Sequence, residues 1–102
     1  MITIHNNEEP LYKLAKEIHE NAVSHGWWDE KRNLLEIVAL CHSELSEAVE
    51  EYRAGRDMIY LGVGGKPEGI AVEMADCLIR ILGWTISNQS YRIAQRYLAK
   101  NE

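Results

Sequence analysis

Residues 68–87, EGIAVEMADCLIRILGWTIS, constrain the fold more than any other stretch of this chain. Projected as an α-helix at about 100° per residue, twelve apolar side chains between Ile70 and Ile86 cover almost the whole circumference. One strip is left, roughly 80° wide, and it carries Glu73, Asp76, Arg80, Gly83 and Ser87. A helix that is apolar nearly all round is buried on most sides. Unpaired buried charge is too costly to be incidental. The two carboxylates and the guanidinium are therefore expected to face one another, a metal ion or an internal polar cleft.

The remaining elements are those that surround this helix. Residues 1–7 read as a short extended arm. Asn7 followed by Glu8, Glu9 and Pro10 predicts a helix start, with Asn7 as the cap and acids in the first turn. This first helix runs to about His25, with Leu11, Leu14, Ala15, Ile18 and Ala22 on one face and Gly26 as its stop. A turn with two adjacent tryptophans, Trp27 and Trp28, comes next. A second helix is predicted from after Asp29 to about Ala54, ended by Gly55. Its apolar stripe is Leu34, Val38, Cys41, Leu45, Ala48, Val49 and Tyr52. Beside that stripe lie Glu44, Glu47 and Glu51, within roughly 60° of one another. Residues 55–67 hold four glycines and a proline and read as a loop. A short fourth helix follows Ser90, with Tyr91, Ala94, Tyr97 and Leu98 on one face. The fold class is thus all-α, and 102 residues leave room for one domain.

Charge and cysteine usage narrow the function. A net charge of −5 argues against a generic binder of duplex nucleic acid, which needs a basic footprint. An anionic small substrate is still compatible, provided that bound divalent cations invert the local field. Cys41 and Cys77 lie inside helical apolar patterns without zinc-type spacing, so two reduced core thiols and a reducing cytosol are expected. The opening MITIHNNEEP is polar and unlike a signal peptide. Glu73, Asp76 and Arg80 interrupt the only long apolar run, which speaks against a membrane span. A soluble, cytoplasmic protein is the expectation.

Two helices each carry a pair of acids at spacing i, i+3: Glu44 with Glu47, and Glu73 with Asp76. Residues three apart share a helical face, so antiparallel packing would bring four carboxylates together. Hard oxygen ligands without His or Cys favour Mg²⁺ or Mn²⁺. Two readings of the residues stand: a metal site, or carboxylate–arginine pairing through Arg80.

HSELSEAVEEYR, followed 26 residues after Glu47 by Glu73 in KPEGIAVEMADCLIRIL, resembles the MazG-like all-α nucleoside triphosphate pyrophosphohydrolases, whose mark is ExxE followed by ExxD. The resemblance spans about Trp27 to Trp84 and is greatest to the short single-domain members. It implies a helical bundle of the four-helix type that assembles into dimers or tetramers. It further implies Mg²⁺ held by Glu44, Glu47, Glu73 and Asp76, and cleavage of a (deoxy)nucleoside triphosphate to the monophosphate and pyrophosphate. Glu47 is the candidate to orient or deprotonate the attacking water. Arg80, Lys31, Arg32 and Lys66 are candidates to neutralise the leaving pyrophosphate. Trp27 and Trp28 are candidates for a base-stacking platform or for packing anchors, and Asn33 for a base or sugar contact or a helix cap. A di-iron bundle is disfavoured because no ExxH occurs. A non-catalytic helical interaction module is the alternative from another class. The third helix is too apolar for three other helices to cover, so a homo-oligomer is expected. The face left over should include some of Val72, Ala75, Ile79, Leu82 and Ile86.

Overall fold

The computed structural model describes residues 9–100. Among them are four helices, α1 (Pro10–Ser24), α2 (Leu34–Arg53), α3 (Ile70–Ser87) and α4 (Tyr91–Lys100), and one two-stranded antiparallel sheet, β1 (Tyr60–Leu61) with β2 (Pro67–Glu68). The chain forms two compact units. One comprises the residues up to Lys31 together with those from Ile81 onward, and the other is Arg32–Arg80. Helix α3 contributes to both. No helix is long and apolar enough to cross a membrane among the described residues.

In the first unit the cap of α1 is Glu9. The expected cap, Asn7, and the extended arm over 1–7 lie outside the described residues. The Glu9 carboxylate accepts from the backbone N–H groups of Leu11 (2.8 Å) and Tyr12 (3.0 Å), and Pro10 occupies the first helical position. The same carboxylate is buried, and its Oε2 also accepts from the Tyr91 hydroxyl (3.0 Å) and from Gln95 Nε2 (2.8 Å) of α4. Burial pushes its pKa up, but these four donors outweigh that and hold it below the usual value. Glutamate is not a favoured cap by itself. Here it works because one group satisfies two helices. Tyr12 and Tyr91 meet edge to face, with ring centroids 5.4 Å apart. Leu11, Leu82, Tyr91, Tyr97 and Leu98 contribute to the walls of an apolar cavity of about 510 Å³ in this unit.

In the second unit α2 begins at Leu34, four residues later than the earliest predicted start, because Asn33 is its cap: Asn33 Oδ1 accepts from the Glu36 N–H at 2.9 Å. Its C-cap is Ala54, followed by Gly55 at φ +71°, as the sequence indicates. The buried face of α2 keeps only Ala48 and half-buried Cys41 of the expected stripe. Ile37, Glu44 and Ala48 point inward, whereas Leu34, Val38, Leu45, Val49 and Tyr52 are 41–76% exposed. Ile37, Glu44 and the small Ala48 take the inner face, and most of the larger aliphatics are left outside.

Residues 55–67 are not wholly a loop. Tyr60 pairs with Glu68 and Leu61 with Pro67, and a single 3₁₀ turn at Val63–Gly65 closes this hairpin. The Tyr60 hydroxyl donates to both oxygens of Glu51 (2.7 and 2.8 Å), and Arg56 Nη1 pairs with Glu51 at 3.2 Å, which ties the hairpin to α2. The hairpin enters α3 through Gly69, at φ +120°. A Cβ on Gly69 would lie 2.8 Å from the Met58 carbonyl carbon and closer still to its oxygen. The Ala71 N–H donates to that same oxygen at 3.1 Å. The exposed side of α3 holds two of the residues expected there and extends beyond them. Ala75 and Ile79 are exposed, but Val72, Leu82 and Ile86 are half-buried, and Met74, Leu78 and Ile81 face outward instead.

Replacing Gly69 with Ala should therefore destabilise strongly, since both the φ and the close backbone approach exclude a side chain. A fall in Tm of about 5–10 °C is expected. Gly83, within α3, is the contrast. A Cβ there meets nothing nearer than Trp28 Cζ2 at 3.8 Å. Gly83→Ala should be neutral or raise Tm, because alanine costs less backbone entropy in a helix. Equal losses for the two variants in thermal denaturation would contradict this account of Gly69.

Candidate metal centre

Within the second unit, Glu44 and Glu47 of α2 and Glu73 of α3 each present a carboxylate oxygen, and the three oxygens lie within 4.8 Å of one another. The i, i+3 spacing places Glu44 and Glu47 on one face. The inward turn of α2 then directs that face at α3. Glu44 is buried, Glu73 half-buried and Glu47 exposed, so the group opens toward solvent on the Glu47 side. Arg80 Nη2 donates to Glu44 Oε1 at 3.4 Å, a partly shielded ion pair. Three of the four predicted ligands are thus brought together. Asp76 lies outside the group of three but within its field. Burial, reinforced by Glu44, raises its pKa, and Arg80 and Lys66 oppose that rise.

The electrostatics of the three carboxylates are those of crowded like charge. Glu73 is pushed up to about 8, first by burial and then by its contacts with Glu44 and Glu47. Its Oε2 is buried and meets no hydrogen-bond partner among the described residues. Such an orphaned oxygen is what a cation would satisfy. The donor set fits a hard divalent ion, being all oxygen. Opposed ligands of one such ion, each about 2.0–2.6 Å from it, are about 4–5 Å apart, which matches the span of the three carboxylates.

The other expected contacts fall in several places. Lys66, exposed in the hairpin just before β2, is close enough to act on Asp76. Asn33 spends its side-chain oxygen on the α2 cap, and Arg32 pairs with Glu36 across the first turn of that helix. Lys31 is exposed, and Trp27 and Trp28 are half-buried; all three belong to the first unit. There the Trp28 ring lies 5.5 Å from that of His19 and beside Gly83, a packing role. Two residues with no signal in the sequence have structural tasks: His19 packs against Trp28, and Tyr60 anchors the hairpin on Glu51. No protein-family model, curated protein or solved structure matches this chain.

The raised Glu73 pKa has a definite linkage sign. The folded state binds this proton more tightly than the unfolded chain, whose carboxyl titrates near 4.5. The contribution of Glu73 to stability is therefore fullest below pH 4.5 and falls as pH rises toward about 8, where the buried group is forced to ionise. In chelator-treated protein, Glu73→Gln should abolish this component, so that the variant gains on the parent chain as pH rises from 5 to 8. Parallel denaturation curves for the two proteins across that range would overturn the assignment.

Proposed function

We propose that this chain is a Mg²⁺-dependent nucleoside triphosphate pyrophosphohydrolase of the MazG-like kind, converting a (d)NTP to (d)NMP and pyrophosphate. The observation that carries the reading is the meeting of Glu44, Glu47 and Glu73 at the interface of α2 and α3. Supporting it is the ExxE-then-ExxD order in which these residues occur. Glu44, Glu47 and Glu73 would hold the metal, with Asp76 completing the proposed set and Mn²⁺ as a substitute ion. When bound, the ion neutralises polyphosphate charge and makes hydroxide accessible near neutral pH. Glu47, the exposed member, is the residue proposed to orient the attacking water or take its proton. Lys66 and Arg80 are the cations proposed for the leaving pyrophosphate. A base platform at Trp27 or Trp28, and contacts from Lys31 and Asn33, are carried by the sequence pattern alone. The chemistry suits a cytoplasmic enzyme acting on free nucleotides.

A second reading, a helical interaction module without chemistry, takes its support from the Arg80–Glu44 pair. Magnesium separates the two readings. Millimolar Mg²⁺ should raise Tm if the carboxylates converge on an ion and leave it unchanged if they serve only as ion-pair partners. With Mg²⁺ and a panel of nucleoside triphosphates, the expected products are monophosphate and pyrophosphate. Glu47→Gln and Asp76→Asn should each lower turnover by about 100-fold or more with helix content intact. Release of orthophosphate and diphosphate would refute the cleavage position, and near-normal turnover in either variant would remove that residue from the proposed set.

The proposal includes a homo-oligomer. Its support is the outer stripe of α2, Leu34, Val38, Leu45, Val49 and Tyr52, together with exposed Met74 and Leu78 on α3. Contiguous apolar surface of this kind is buried in assemblies. Sedimentation at micromolar concentration should give a dimer or larger species, and Val49→Glu should dissociate it. A parent chain that sediments as a monomer would contradict the proposal.

A further inference from the structure

The apolar cavity of about 510 Å³ in the first unit has no part in the metal centre or in the proposed reaction. Its hydrocarbon walls come from three helices: Leu11 of α1, Ile81 and Leu82 of α3, and Ala94 and Leu98 of α4. Thr85 and Tyr91, 8% and 4% exposed, form the inner wall, whereas Ile81, Tyr97 and Leu98 are 45–67% exposed and mark the open side. Polar ties position these walls. Glu9 at the head of α1 accepts from Tyr91 and Gln95 of α4, and the Tyr12 and Tyr91 rings meet edge to face. At the corner between α3 and α4 the Ser90 N–H donates to the Thr85 carbonyl (2.9 Å) and to Asn88 Oδ1 (3.1 Å). Helices tied in this way resist the collapse that would fill the space between them.

The hydrogen bonds of the lining select what can bind. The Thr85 hydroxyl donates to the Leu82 carbonyl at 2.7 Å, and the Tyr91 hydroxyl donates to Glu9 at 3.0 Å. Both inner hydroxyl protons are thus spent on the protein itself, and none of the lining residues is an acid or a base of the Asp, Glu, Lys, Arg or His kind. A ligand acceptor finds no free proton on the inner wall, and a charged group finds no counter-charge, so either would lose its hydration without return. An apolar molecule gains by leaving water. A dry apolar cavity of about 150 Å³ is enough to bind benzene with no polar anchor. Small-molecule sites span about 300–1,000 Å³, and this cavity falls within that range.

We propose that the cavity is a binding site for a small uncharged hydrocarbon, which enters on the side of Ile81, Tyr97 and Leu98 and packs against Leu11, Leu82 and Ala94. Bound there, the ligand touches α1, α3 and α4 together and stabilises the first unit. The inference rests on that unit alone and is independent of any metal at the carboxylates.

The test titrates the isotope-labelled full chain with toluene, and with benzoate as a charged molecule of similar size, while amide shifts and Tm are followed. Toluene should move the amides of Leu11, Leu82, Thr85 and Ala94 saturably and raise Tm by about 3 °C or more. Benzoate should bind at least about tenfold more weakly. Ala94→Trp, which puts an indole into the cavity, should abolish toluene binding with helix content retained, and the milder Ala94→Leu should weaken it even where the tryptophan variant fails to fold. No saturable shift up to the solubility limit of toluene, shifts confined to the outer stripe of α2, equal affinity for benzoate, or undiminished binding in the variants would overturn the proposal. Self-association of the parent chain that is lost in Ala94→Leu, with no toluene bound by the parent, would assign the cavity to a second copy and overturn it as well.

Discussion

Three carboxylates within 4.8 Å of one another repel, and the pairing of α2 with α3 is arranged around that repulsion. The inner face of α2 has small residues on either side of Glu44, Cys41 before it and Ala48 after it. Larger side chains there would have kept the backbones apart and left the acids in water. Close approach raises Glu73, leaves its Oε2 without a donor and draws Arg80 onto Glu44. A protein that only needed a stable helix pair would gain more from leucine in these positions, since buried ion pairs are seldom better than apolar packing. The acids therefore cost stability in this unit, and such a cost marks a place where binding rather than folding sets the residues.

The hairpin between the two helices acts as a positioning element. Glu51 would be a further acid on the same side of α2, but Tyr60 and Arg56 engage it. The negative field is thereby confined to the Glu44–Glu47 end of the helix. The same hairpin turns sharply at Gly69, which lets α3 begin one residue later and brings Lys66 into the neighbourhood of Asp76. Gly69, where a side chain would run into the Met58 backbone, is thus also the joint that sets a cation near the acidic strip.

Much of the fold was legible in the sequence because helices announce themselves by period. The four helices lie where apolar recurrence, Gly26, Gly55 and Ser90 put them, and Glu44, Glu47 and Glu73 could be grouped from spacing alone. The inner face of α2 was legible only in part, through Ala48 and Glu44. Two stripes lie side by side on that helix, and hydrophobicity ranks Leu34, Val38, Leu45 and Val49 above the Ile37, Glu44 and Ala48 face that is buried. Strands of two residues are too short to show alternation, so Tyr60–Leu61 and Pro67–Glu68 read as loop. The capping role of Glu9 depends on Tyr91 and Gln95, far away in the chain, and no local rule would select it over Asn7.

The shared cap at Glu9 also bears on the order in which the chain becomes structured as it is made. Its two nearest donors, the Leu11 and Tyr12 amides, are at hand as soon as the first turn of α1 exists. Its other two come 82 and 86 residues later, from Tyr91 and Gln95. The Arg32–Arg80 unit is contiguous and can close while the chain is still growing. The unit built from the two flanks cannot close until α4 has been synthesised, and closing it carries the entropy of a long loop. During translation the Glu9 carboxylate therefore has only its two local donors and remains hydrated until α4 emerges and dries it.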